Sequence, residues 1–261
     1  MTRTHRMMLL HALHLVVPAS LFFFGAPWLA SIGVFLGAFA LFHDTVHANL
    51  GLPRRLNEAI LSGTGVLLGV SGLAARRAHL FHHAHPGAPD DMEGRDIDSP
   101  LWLAIARAPI TWLSLVFSGW NRRIACEWAL VMLFTSSVRH EYLFVTIAAQ
   151  ATMSLWAGRL SHRRPRWLVT AALPLARWGI SPATLFVTHE AHHAHPWKAS
   201  FEPEAPSPMK SAFRSHEFPC RVGAARSKRP WSRRVAAHKD LPESNHLSNC
   251  PRSHRWQKRW S

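Results

Sequence analysis

Apolar residues in this chain are gathered into long blocks, where a globular domain would scatter them through short periodic segments. From Met7 to Phe42, thirty-six residues pass without an acidic side chain, a lysine or an arginine, and Gly25-Ala26-Pro27 interrupts the run near its middle. A hydrocarbon core takes about 17 to 25 residues per helical crossing, so this block predicts a hairpin of two short spans. A second hairpin is predicted from Ile124 to Val138 and from Tyr142 to Leu160, joined at Arg139-His140-Glu141. Two further blocks suit interfacial or re-entrant helices better than full crossings: Leu56 to Leu73 is glycine-rich, and Leu101 to Trp120 contains Arg107 and Pro109. The segment Trp167 to Val187 is broken by Pro174, Arg177, Gly179 and Pro182, and is expected to lie in or near the interface. The expected fold is therefore all-α, an integral membrane protein with about four transmembrane helices plus interfacial helices.

Charge placement gives this pattern a direction. The net charge of +15 would point to nucleic acid in a soluble protein, but here arginines flank apolar blocks as the positive-inside rule requires, so no nucleic acid is expected. Arg54, Arg55, Arg76, Arg77, Arg95, Arg107, Arg122 and Arg123 hold the central connecting region in the cytoplasm, and Arg159, Arg163, Arg164 and Arg166 mark a second return there. The opening run is too long for a signal peptide and continues into polar chemistry, so it is expected to be retained. Cys126, Cys220 and Cys250 form no CxxC pair, which leaves neither a disulfide framework nor a thiolate zinc site. Composition shifts near Trp197: all five lysines lie in residues 198–261, where fourteen Lys and Arg stand against five Asp and Glu. Two domains follow, a membrane-bound one over 1–197 and a basic, disordered tail over 198–261 that could rest on anionic headgroups.

Histidines supply the chemistry. Eight of nineteen fall in three clusters, His43-Asp-Thr-Val-His47, His79-Leu-Phe-His82-His83 and His189-Glu-Ala-His192-His193, each just beyond an apolar block and all on the predicted cytoplasmic side. Spacings of three and four residues put rings on one helix face, and imidazole suits several transition metals. Eight ligands exceed one ion and fit two irons, which leaves room for dioxygen. His85 and His195 turn off the ligand face. Outside the boxes, His162 beside Arg163 and Arg164 reads mainly as part of a basic interfacial cluster. His5, His11 and His14 read as interfacial or packing residues. Trp102, Trp112 and Trp156 could line a substrate tunnel or anchor the chain at the interface. Box three also satisfies HExxH, with Glu190 as the general base of a zinc peptidase, which gives an intramembrane protease as an alternative.

The boxes HDxxH, HxxHH and HxxHH, in this order and flanking paired spans between about Leu36 and Trp197, resemble those of the membrane-bound fatty acid desaturase superfamily. The run from His79 to Gly87 followed by Asp90-Asp91 adds to the likeness. The resemblance implies a di-iron centre held by His43, His47, His79, His82, His83, His189, His192 and His193, with Asp44 accepting a hydrogen bond from a ligating imidazole. It further implies O2 as co-substrate, external electrons from a ferredoxin or cytochrome b5, and an acyl lipid or other apolar substrate; some relatives recruit one more histidine or asparagine between boxes two and three, for which His140 and His162 are the candidates. Fatty acid desaturation is the expected reaction, with a carotenoid hydroxylase or ketolase as the alternative. No GxGxxG fingerprint occurs, so the reductase must be a separate protein.

Overall fold

The computed structural model describes residues 2–194 and 196, and the basic tail lies outside them. Within the described residues the chain is all-α, with no strand. In order the helices are α1 (Arg3–Ser20), α2 (Pro27–Val46), α3 (Arg54–Leu67), α4 (Gly72–Ala84), α5 (Leu101–Val116), α6 (Arg122–Ser137) and α7 (His140–Ala151). There follow a π-helical stretch (Ser154–Leu160), a short α8 (Ser161–Arg163), α9 (Arg166–Arg177) and α10 (Ser181–Ala194).

The break at Gly25-Ala26-Pro27 separates α1 from α2 as the sequence predicts, because Pro27 fits the first helical position, where its missing N–H costs nothing. Helix α2 is 20 residues long with a mean hydropathy of 1.6, and is the one described helix long and apolar enough by itself to cross a membrane. Helices α3 and α4 meet that test only as a pair bent by 98°, and α5 is a shorter apolar helix. The predicted second hairpin forms as α6, of 16 residues, and as α7, of 12, with the π-helical stretch that follows it, and neither α6 nor α7 by itself has the length of a crossing.

Helix α2 forms the axis of the core. Phe35, Ala38, Phe42 and Val46 pack with Leu61, Ala74, Ala78, Leu115, Ile124, Trp128 and Tyr142 from the surrounding elements. Helix α1 approaches it closely because of Gly33 and Gly37, four residues apart. A Cβ on Gly33 would fall within 3 Å of Pro18, and one on Gly37 would collide with the backbone carbonyl of His14. The α3–α4 bend has a similar cause. Gly69, with φ +70, ends α3 in the left-handed region, Val70 N–H returns to the Gly65 carbonyl at 2.9 Å, and Gly65 lies too close to Gly72 for a side chain. Glu127 of α6 fixes the bend by accepting from Ser62 Oγ (2.6 Å), Ser71 Oγ (2.6 Å), Leu73 N–H (2.9 Å) and Arg123 Nε (3.1 Å).

Candidate metal centre

Three helix ends bring the boxes together. Helix α2 stops on box one: Ala48 takes a left-handed φ of 54°, Ala48 N–H bonds the Thr45 carbonyl and Asn49 N–H the Asp44 carbonyl, so the chain leaves just after His47. Box two fills the last turns of α4, and box three those of α10.

Their imidazoles do not form one cluster of eight. His43, His47, His79, His83 and His192 make one group, and His82, His162, His189 and His193 another, with the ligand atoms of each within 4.8 Å of one another. The division follows helical geometry. His43/His47, His79/His83 and His189/His193 are i, i+4 pairs, and each pair stays on one face and in one group. The interposed residues change sides: His82 of α4 joins the α10 pair, and His192 of α10 joins the α4 pair. Contacts within the groups are close, at 3.0 Å for His79 Nε2 to His47 Nε2, 3.2 Å for His192 Nε2 to His47 Nε2 and 3.1 Å for His193 Nε2 to His189 Nε2.

His162, which the sequence reading weighted toward a basic cluster, stands inside the second group, its Nε2 3.0 Å from His82 Nε2 and 3.1 Å from His189 Nε2. It arrives there on α8, directly after the π-helical stretch, and no periodic pattern in the sequence marks that path. His140, the other candidate, is 84 % exposed and faces Glu141. His85 is also exposed, stacked on Phe81, while His195 lies outside the described residues.

Two carboxylates hold the rings from behind. Asp91 Oδ2 accepts from His82 Nδ1 at 2.7 Å and from Gly87 N–H at 2.8 Å, while Oδ1 takes the N–H groups of Glu93 (3.0 Å) and Gly94 (2.9 Å). Glu93 Oε2 accepts from His79 Nδ1 at 2.8 Å. Occupying Nδ1–H in this way turns the Nε2 lone pair toward the group, the tautomer a metal needs. Burial alone would raise the Asp91 carboxyl; the His82 bond and the backbone donors overcome it and hold the group below its usual range. Glu93 is likewise lowered, against burial, chiefly by His79. The Glu93 contact was not legible in the sequence, whose only signal was a carboxylate-rich loop after box two. Arg159 clamps that loop by donating to the carbonyls of Asp96 and Ile97, both at 3.1 Å, and of Ser99.

Asp44 is buried next to His43, but its Oδ2 faces His11 Nε2 at 3.0 Å, so it ties α1 to box one. The sequence reads His11 as an interfacial or packing residue, and this bond places it against the carboxylate beside box one.

These residues fit metal ions. Eight imidazoles present Nε2 atoms to the two groups and His43 adds a ring nitrogen to the first, and such convergence lets only some of them share a proton with a neighbour. His43 is buried with no hydrogen-bond partner for either ring nitrogen among the described residues. Burial, with the neighbouring imidazoles, keeps rings neutral and able to donate a lone pair: His162 titrates at about 4, His192 at about 3 and His193 at about 2. The zinc-peptidase arrangement does not form. Glu190, its required base, is 72 % exposed and its Oε2 pairs with Arg164 Nη1 at 3.0 Å, away from His189 and His193.

A cavity of about 730 Å³ reaches both groups, touching His43 and His79 of the first and His189 of the second. Its walls are almost wholly apolar, including Phe39, Phe42, Leu115, Met153 and Trp156. Its volume falls in the ~300–1,000 Å³ range usual for small-molecule sites. Of the three candidate tunnel tryptophans, Trp156 lines it, with its Nε1 turned to the Ala149 carbonyl at 2.8 Å, and Trp102 and Trp112 do not.

Comparison with known proteins returns no match among curated proteins or solved structures. The sequence profile of the fatty acid desaturase family matches residues 18–158, more than half of the chain, including boxes one and two and the carboxylates behind them. The protein belongs to the fatty acid desaturase family.

Proposed function

We propose that this chain is a membrane-bound, oxygen-dependent di-iron oxidoreductase that desaturates the acyl chain of a lipid. The observation that carries the proposal is the apolar cavity with both histidine groups in its wall. In this reading one iron is held by His43, His47, His79, His83 and His192, and the other by His82, His162, His189 and His193. When bound, two irons with dioxygen supply an oxidant able to take hydrogen from an unactivated alkyl carbon: the chain gives two hydrogens and a carrier gives two electrons, and with two protons O2 leaves as two waters.

The protein's own residues position and exclude. Asp91 and Glu93 fix the tautomers of His82 and His79, and Arg159 holds the loop that carries them. Phe39, Phe42 and Trp156 keep water from the reacting carbon, which protects a strong oxidant from side reactions. The four-span topology, with the histidine boxes in a cytoplasmic cap, belongs to this proposal and rests on the arginine distribution. On that face Arg163, Arg164 and Arg166 offer positive charge to an acidic ferredoxin or cytochrome b5 type donor.

The test is metal analysis of the purified chain, paired with lipid profiles of cells expressing it and of cells expressing His82→Ala. Near two irons per chain and new double bonds that vanish with His82→Ala are expected. Two irons with oxidised carotenoids alone would move the assignment to a hydroxylase or ketolase. Zinc with no lipid change would overturn it.

A further inference from the structure

The rim of the cavity carries information that the histidines do not. Six of its lining residues are exposed, and all six are aliphatic: Leu13 and Val17 of α1, Leu36 of α2, Leu160, Leu175 of α9 and Ile180. No exposed polar or charged side chain lines it among the described residues. A mouth that received a coenzyme or carrier thioester from water would need donors or cations at its edge to hold the phosphate-bearing head. This edge offers only hydrocarbon.

The surface around the rim continues in the same way. Val16 is 65 % and Phe23 91 % exposed on and just beyond α1, and Leu29 and Ile32 are exposed on α2. An uncovered apolar face of this extent is stable against lipid and not against water.

Helix α9 shows at what depth the rim lies. It has 12 residues, roughly 18 Å at 1.5 Å per residue, too short to cross a ~30 Å hydrocarbon core. It begins with Arg166-Trp167 and ends with Arg177-Trp178, and both tryptophans are exposed. An Arg-Trp pair at each end is what a helix lying along the headgroup boundary carries. Its other face, Leu168, Ala172 and Leu175 at spacings of four and three, lines the cavity. Gly179, in the left-handed region at φ +78, then turns the chain into α10 and the third box.

We infer that substrate reaches the histidine groups sideways from the lipid leaflet, as the hydrocarbon chain of a membrane-resident lipid, through a gap bordered by α1, α2 and α9. The inference deepens the proposed function and rests on it for the reaction, but the route is carried by the rim alone. It assigns α9 as the gate: the helix stands between the headgroup layer and the bore, held by its terminal tryptophans and by no buried residue of its own.

The test uses the full chain in nanodiscs made with phosphatidylcholine whose one acyl chain ends in a diazirine. After photolysis, adducts are mapped by peptide mass spectrometry. Adducts are expected at the rim (Leu13, Val17, Leu175) and inside the bore (Phe39, Met153). Filling the mouth with Val17→Trp or Leu175→Trp should lower the inner adducts at least tenfold while the outer face at Phe23 labels as before, which shows that the variant is still inserted. Labelling confined to the outer face, or inner labelling unchanged in both mouth variants, would overturn the route. Labelling needs no turnover, and the metal content is measured on the same sample. A chain that labels inside but holds no iron would therefore refute the di-iron reading and leave the route standing.

Discussion

Gly94 is the most informative single position in the loop behind box two, because it tests the buried carboxylate without touching a histidine. Its φ is not positive, so alanine is acceptable to the backbone, but a Cβ there would lie within 3 Å of Asp91 Oδ2 and at 2.8 Å from both Cε1 and Nδ1 of His82. Asp91 and His82 are buried and cannot swing into solvent. Gly94→Ala must therefore stretch or break the 2.7 Å His82–Asp91 bond. Overpacking of this kind costs about 1–3 kcal/mol, and loss of a hydrogen bond to a charged group about 1.5–3 kcal/mol. A total near 3 to 5 kcal/mol is expected, much of it felt at the metal, since disturbing a group that orients a ligand lowers metal affinity roughly 10- to 100-fold. Gly87→Ala is the control: with φ +74 but nothing within 4 Å of its Cβ, it should add only backbone strain of about 1–2 kcal/mol. The assay is iron retention per chain during graded chelation, with thermal unfolding in detergent alongside. If Gly94→Ala holds iron as well as Gly87→Ala does, Asp91 is not positioning His82 and the argument fails.

Other perturbations separate the metal centre from its frame. His162→Ala should reduce bound iron from about two per chain toward one by metal analysis, because the group of four loses a ligand while the group of five is untouched; two irons retained would remove His162 from the site. Glu127→Ala should cost about 3–5 kcal/mol in detergent unfolding, since Arg123 and three further donors lose their acceptor, and the protein that does fold should bind iron normally. Gly37→Leu should force α1 away from α2 at the His14 carbonyl, seen as faster proteolysis within α1. Chelation of the wild type should lower its melting temperature, because ions bound only by the folded state stabilise it by mass action.

Local features of this fold were legible wherever one residue type has one physical use. The break before Pro27 and the i, i+4 histidine pairs follow from spacing and backbone freedom, whereas the glycine-rich block Leu56–Leu73 was read as interfacial or re-entrant without its bend being located at Gly69. What was not legible depends on how helices rotate against each other. That His82 and His83, neighbours in sequence, serve different groups is settled by the packing of α4 against α2 and α10. Glu93 and Asp91 act from an irregular loop, where no period indicates a direction. The spans were read from apolar length alone, and α6 and α7 turned out too short to rest on that criterion.

The π-helical stretch before His162 can be viewed as bookkeeping in the chain itself. A turn of π-helix holds about one residue more than a turn of α-helix, and each residue of an α-helix turns the following chain by about 100°. Winding the same residues of Ser154–Leu160 as α-helix would turn His162 by roughly 100° off its bearing, with no change in any side chain of the site, whereas deleting one of them as well would keep the number of turns and so the bearing. A family member one residue shorter there and α-helical throughout would then keep all three boxes and could aim its histidine along the same bearing. Box counting would not tell two such proteins apart, whereas the length of the chain between Gln150 and His162 would.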